Sequence, residues 1–222
     1  MGKQNKQSQK QSFVMLCEGQ KTEHNYIDLV LFNGFRTNKP LFNKSATGEK
    51  ALGKRFDFRG PTPLKGAKLL EEGLRQAKAD ANTMVWCFID GDNLLKDKIL
   101  TPERSRRIQE RTNLKVCITN PCIEFWFLLH VDKGYTTKQF ENCDAVELTK
   151  VKGFENYKKN APEEIDLLYD VVSLKKAVKH AQQLQKHHEI ITVTHPNVAS
   201  KNPFTAFHHF IEFLTEQQST LS

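Results

Sequence analysis

Apolar residues along this chain gather into short unbroken runs, separated by longer stretches in which they recur every three or four positions. The first run, Phe13-Val14-Met15-Leu16-Cys17, is β-prone and stops at Glu18-Gly19, the pattern of a buried strand ending in a turn. From Lys21 to Phe35 the residues Tyr26, Ile27, Val30 and Leu31 keep helical spacing. Residues 36 to 63 carry glycines and prolines and read as a strand or two within an irregular excursion. A helix follows from about Leu64 to Asp80, with Leu64, Ala67, Leu70, Leu74 and Ala77 on one face. The second run, Met84 to Ile89, is too continuous for a strand with one wet face, so both its faces should be covered; it ends in Asp90-Gly91-Asp92.

Thr101-Pro102-Glu103 has the form of an N-cap with proline in the first helical position, opening a helix through Arg111. A third strand, Leu114 to Ile118, runs into Thr119-Asn120-Pro121. There Asn120 as N-cap and Pro121 at the first position predict a mostly apolar helix, Cys122 to His130. Strand and helix alternate throughout this part, which predicts an α/β fold: a mostly parallel sheet with helices on both faces. Beyond about residue 131 the pattern changes. Tyr135 to Tyr157 is mixed, Ser173 to His188 is a polar amphipathic helix, and Asn202-Pro203 opens a last helix with Phe204, Phe207, Ile211 and Leu214 on one stripe. The expected organisation is a disordered Gln/Lys-rich tail over residues 1–11 and a single domain over 12–222. Its core spans about 12–131 and a helical C-terminal extension about 132–222.

Composition narrows the class. No run of about 18 apolar residues occurs and the opening eleven residues lack the apolar stretch of a signal peptide, so a soluble cytoplasmic protein with no membrane partner is expected. The five cysteines, Cys17, Cys87, Cys117, Cys122 and Cys143, are odd in number and read as reduced core thiols. The pairs His187-His188 and His208-His209 lack a Cys pair at zinc-finger spacing, so a structural zinc site is not expected.

The net charge of +7 is unevenly placed: residues 1–111 hold 21 basic and 13 acidic side chains, the remainder 12 and 13. Between 36 and 68, Arg36, Lys39, Lys44, Lys50, Lys54, Arg55, Arg59, Lys65 and Lys68 face only Glu49 and Asp57. Such a one-sided field suits a polyanion, DNA or RNA, although lysines and arginines also populate ordinary surface loops.

Three carboxylates stand at the ends of two strands: Glu18 after the first, Asp90 and Asp92 after the second. In an open parallel sheet the C-terminal strand ends share one edge, where ligands bind. Acids crowded there repel one another, and a divalent cation held by oxygens alone, Mg²⁺ or Mn²⁺, relieves the repulsion. An Asp-Gly-Asp segment also ends strands through Asx turns with no such role, and both readings stand at this point.

Three strings share a pattern: Cys17-Glu18-Gly19-Gln20-Lys21-Thr22-Glu23, Asp90-Gly91-Asp92, and Thr119-Asn120-Pro121-Cys122-Ile123-Glu124-Phe125-Trp126-Phe127-Leu128-Leu129-His130. Together they resemble the RloB family over nearly the whole chain after the tail, with Tyr157-Lys158-Lys159 and Asn202-Pro203-Phe204-Thr205 similar to its C-terminal landmarks. Thr119, Ile123 and Gln20 depart from the usual Ser, Phe and acid.

The resemblance implies a Toprim-like fold in which Glu18, Asp90 and Asp92 serve metal-dependent phosphoryl transfer. It also implies a setting near restriction-modification loci and a role in anti-phage defence, with a defence-system partner protein. Glu23 is a further candidate metal ligand or a first-turn acid suited to the helix dipole. Lys21 is a candidate phosphate contact or a simple cap neighbour, and Lys158 a candidate phosphate contact. On the helix after Asn120, itself a candidate substrate contact, Glu124 needs a partner among apolar neighbours. His130 reads as a proton shuttle or as an imidazolium held by the helix C-terminus. The function expected is a Toprim-type nuclease using Mg²⁺ or Mn²⁺; the alternatives are a non-catalytic metal-assisted nucleic-acid or nucleotide-binding module and a helical adaptor.

Overall fold

The computed structural model describes residues 12–18, 21–34, 36–37, 40–42, 56–57, 64–92, 94, 96–219. The tail expected to be disordered and most of the basic 36–63 segment lie outside them.

Five strands form one sheet in the order β2-β1-β3-β4-β5: β1 Ser12–Cys17, β2 Phe56–Asp57, β3 Thr83–Asp90, β4 Leu114–Asn120 and β5 Phe204–Thr205. All pairings are parallel except the last, β4 with β5. The long strands are apolar on both sides because both are covered. Residues in register share a face, so Phe13, Met15, Trp86 and Phe88 look one way and Leu16, Cys87 and Val116 the other.

The first face receives α6, Phe207–Ser219, whose Phe210 ring lies 5.0 Å from both Trp86 and Phe88 and whose Phe213 ring lies 5.4 Å from Phe13. The second receives α2, Gly66–Ala79; a Cβ on its Gly73 would stand 2.5 Å from the Cys87 sulfur. Full burial of a phenylalanine such as Phe207 or Phe210 contributes about 1.5–3 kcal/mol, so the C-terminal helix is part of the core.

Several elements differ from their sequence reading. The helix expected from Lys21 begins as α1, Thr22–Asn25, and continues as a wider π-helix over Tyr26–Phe32, which places Tyr26, Ile27, Val30 and Leu31 inside the core. α3 is Pro102–Gln109, with Thr101 Oγ1 accepting the Arg104 N–H as its cap.

Asn120 is not an N-cap. It is the last residue of β4, the Asn120-Pro121 peptide is cis, and helix α4, Ile123–Leu128, starts after Cys122. Asn202-Pro203, also cis, likewise opens no helix. Phe204 and Thr205 pair with β4 through Asn120 and Thr119, because a strand there satisfies the β4 edge that a helix would leave open. The polar helix is α5, Val171–His187, capped by Asp170.

Of the five cysteines, Cys17, Cys87 and Cys117 are buried free thiols. Cys122 and Cys143 form a disulfide, which corrects the expectation of five reduced thiols. No sequence pattern marked these two as partners; α4 and the following loop bring them together.

Candidate active site at the strand ends

β1 and β3 are neighbours in the sheet, and the Glu18 N–H donates to the Phe88 carbonyl at 3.1 Å, so Glu18 emerges beside the end of β3. The Glu18 carboxyl also meets the Asp90 backbone amide. Glu18 turns toward the start of α2, where the Gly66 amide and Lys65 approach it, while Asp90 Oδ1 accepts the Ile123 N–H at the start of α4 at 3.2 Å. The space between the two helix starts is a cleft of about 700 Å³. Six carboxylates line it, Glu18, Glu23, Asp90, Asp92, Asp97 and Glu124, together with Lys65, Lys68 and Lys159.

Glycine at position 91 is a packing necessity. A Cβ there would lie 2.4 Å from the Asn120 Cβ, and this close approach lets the Gly91 N–H reach the Thr119 and Pro121 carbonyls at 2.7 and 2.8 Å. The Asp-Gly-Asp segment therefore turns at its glycine. Asp90 stays half-buried at the strand end and Asp92 reaches the exposed rim.

Electrostatics single out the inner acids. Glu23 is 4% exposed and Glu124 6%. Burial, then the neighbouring Glu124 and Glu18 charges, push the Glu23 carboxyl up to about 7, with Lys159 opposing. Burial also raises Asp90 well above the usual carboxylate range, and Glu23, Glu124, Glu18 and Asp92 push in the same direction. Glu18 is raised mainly by burial, an effect partly offset by the Gly66 and Asp90 backbone amides.

Glu18 Oε2 and Glu23 Oε2 are buried and have no hydrogen-bond donor among the described residues. Glu124 Oε1 accepts from the Tyr157 hydroxyl at 3.0 Å, but its Oε2 faces the Cys143 sulfur at 3.1 Å, which in a disulfide carries no proton to donate. Three carboxylate oxygens in one cleft thus lack donors, the condition a cation relieves. The acids are spread around the cleft, not gathered on one point. The triplets whose ligand atoms lie within 4.8 Å of one another among the described residues are Cys122, Glu124, Cys143 and His208, His209, Glu212. The sulfurs of the first triplet are tied up in the disulfide, so the groups able to hold a metal ion are the acids of the cleft and the histidines and Glu212 of the second, with no identity for the metal.

The other candidates separate cleanly. Lys21 is exposed and does not line the cleft. Lys158 pairs with Glu164 at 3.2 Å outside it, and Lys159 is the lysine that lines it. Thr22 holds that segment in place, since its hydroxyl lies 3.2 Å from both Asn160 Oδ1 and the Asn160 N–H. Asn120 donates to the Lys201 carbonyl at 2.8 Å, beside a smaller cavity.

His130 is wholly buried, 3.4 Å from the Tyr26 hydroxyl and 3.1 Å from the Trp126 carbonyl, and burial lowers its pKa to about 4. It is a neutral core residue, neither the shuttle nor the imidazolium anticipated, because desolvation outweighs the helix-end charge. Lys65 and Lys68 belong to the basic cluster visible in the sequence, whereas nothing in the sequence marked Asp97 or the Cys143 contact.

A separate groove of about 510 Å³ lies between α5 and α6, lined mainly by apolar residues such as Phe42, Leu174 and Ile211; it gathers no buried carboxylates. No helix among the described residues is long and apolar enough to cross a membrane. No curated protein and no solved structure matches the chain. The family model described as RloB-like protein matches residues 13–214, nearly the whole chain, and the protein therefore belongs to the RloB-like family.

Proposed function

We propose that the cleft at the strand ends is a divalent-cation-dependent phosphodiesterase centre of Toprim type, acting on nucleic acid in anti-phage defence. The observation that carries this reading is the set of buried, donorless oxygens of Glu18, Glu23 and Glu124 around a cleft that also presents Lys65, Lys68 and Lys159. Oxygen-only donors suit Mg²⁺ or Mn²⁺, which would neutralise phosphate charge and activate water.

Asp90, Glu23 and Glu124 would hold the cation, with Asp92 at the exposed edge of the cleft. Glu18, at the end of β1 in the same cleft, has a raised pKa that fits it to orient and deprotonate an attacking water. Lys65, the N-cap of the 14-residue helix α2, and Lys68, in its first turn, would meet the phosphate backbone together with the helix dipole. Lys159 would neutralise charge from the opposite side.

The deciding experiment is hydrolysis of labelled single- and double-stranded DNA and RNA with Mg²⁺, Mn²⁺ or EDTA, beside Glu18→Ala. Cleavage that needs the cation and disappears in the variant is the expected result. Salt-sensitive binding without cleavage in any of these conditions would replace the enzyme by a phosphate-binding module.

A further inference from the structure

Cys122 and Cys143 bring a second chemistry to the same cleft. Their disulfide joins the residue immediately before α4 to a loop 21 positions later, and Glu124, one turn into α4, lies against it. Cys143 Sγ stands 3.1 Å from Glu124 Oε2, and the two sulfurs and that carboxylate lie within 4.8 Å of one another. Cys122 is buried, whereas Cys143 is half-buried and the more exposed of the two residues. The other three cysteines lie inside the sheet, where burial pushes their thiols far up and keeps them unreactive.

We infer that Cys122–Cys143 is a reversible thiol–disulfide site whose state sets how well Glu124 serves the cation in the cleft. The inference rests on the proposal that the cleft binds a cation.

The reacting partner is a low-molecular-weight thiol. Its thiolate attacks Cys143 Sγ, forming a mixed disulfide, while the Cys122 sulfur leaves with the bonding electron pair and takes a proton from solvent. A second small thiolate attacks the outer sulfur of the mixed disulfide. It releases Cys143, which is protonated in turn, and the small molecules leave as their own disulfide. Two electrons and two protons have entered the protein.

The consequence comes from one hydrogen. In the disulfide, Glu124 Oε2 meets a sulfur that cannot donate, and its charge is left for a cation. In the dithiol the same sulfur carries a proton directed at that oxygen. Glu124 is then held between the Tyr157 hydroxyl and the Cys143 thiol, and its charge is partly compensated before any cation arrives. Opening the bond also frees the loop carrying Cys143 to move away from α4.

The test is Mn²⁺ titration of the full chain, oxidised or reduced with a phosphine and desalted, beside Cys143→Ala and Cys143→Ser. Alkylation mass spectrometry reports the thiols in each sample. Oxidised protein and Cys143→Ala, neither with a donor at this position, should bind Mn²⁺ roughly three- to tenfold more tightly than reduced protein and Cys143→Ser, which both keep one. The two variants should ignore the reductant.

Equal affinity in the two redox states of the wild type would overturn the inference and leave the cation site standing. Failure of the pair to open under reductant in the folded protein would overturn it as well. Absence of Mn²⁺ binding in every sample would remove the cation reading and this inference together. The comparison of oxidised and reduced wild type needs no substitution, so poor folding of a variant does not blunt it.

Discussion

Asp90 Oδ1 accepts the backbone N–H of Ile123 at 3.2 Å, so the last residue of β3 closes the first turn of the helix that comes after β4. Two requirements meet in this carboxyl. As an acceptor it holds α4, and with it Glu124, in place; as a half-buried charge among other acids it costs stability until a cation is present. Substitution separates the two. Asp90→Asn keeps an acceptor and drops the charge, and should melt no lower than the wild type without cation while losing cleavage. Asp90→Ala loses the cap as well and should cost about 1 kcal/mol, a fall of about 2–4 °C by thermal melting.

Glu23 ties stability to pH. Its folded pKa of about 7 lies above the ordinary 4.5, so between these values the folded state holds a proton the unfolded chain has released, and stability falls as pH rises through this window. Glu23→Gln should match the wild type near pH 4 and exceed it at pH 8 by on the order of 3 kcal/mol in denaturant titrations without cation. Mn²⁺ should reverse the order at pH 8, because only the wild type retains the ligand.

His130 acts with the opposite sign. Its pKa falls from 6.5 to about 4 on folding, so the unfolded chain binds the extra proton and stability is lost as pH drops from 6.5 to 4. His130→Phe should show a flatter stability profile over that range, by on the order of 2–3 kcal/mol, in the same titrations. The pH profile of cleavage by its folded fraction should match the wild type, whereas a lost limb would restore the shuttle role.

Tyr157 donates to Glu124 Oε1 at 3.0 Å across 33 residues of sequence. Tyr157→Phe leaves that buried oxygen without a donor and should destabilise the protein by about 1.5–3 kcal/mol at neutral pH. Calorimetry with and without Mn²⁺ should find the loss smaller when the cation is present.

Lys65 and Lys68 carry the electrostatic half of the proposed chemistry. Lys65→Gln with Lys68→Gln should weaken nucleic-acid binding and reduce the steepness of its salt dependence by about 1–2 in log–log slope, with little change in sequence preference. Fluorescence anisotropy across a salt series measures both, and an unchanged slope would place the phosphates elsewhere on the surface.

Much of this architecture was legible in the sequence because it depends on local periodicity. The continuous runs at Phe13–Cys17 and Met84–Ile89 mark strands covered on both faces, and parallel strands deliver the acids at their C-terminal ends, Glu18 and Asp90, to one edge. Asn120 misled because Asn-Pro has the form of a helix start, whereas β5 pairs with its backbone and Asp90 supplies the cap from another strand. Lys158 and Lys159 are equivalent as letters; contacts from distant segments, Thr22 with Asn160 and Glu164 with Lys158, accompany the placing of Lys159 at the cleft.

The sequence by itself determined the strand–helix alternation, the covered faces of the long strands and the arrival of acids at their ends, because these depend on neighbours within a few residues. Tertiary structure decided the rest. That Cys122 meets Cys143, that Glu124 is shared by Tyr157 and a sulfur, and that His130 is sealed into the core depend on which surfaces pack together. Contacts of that kind come from the summed burial of many side chains across distant segments, and no short stretch of sequence carries that sum.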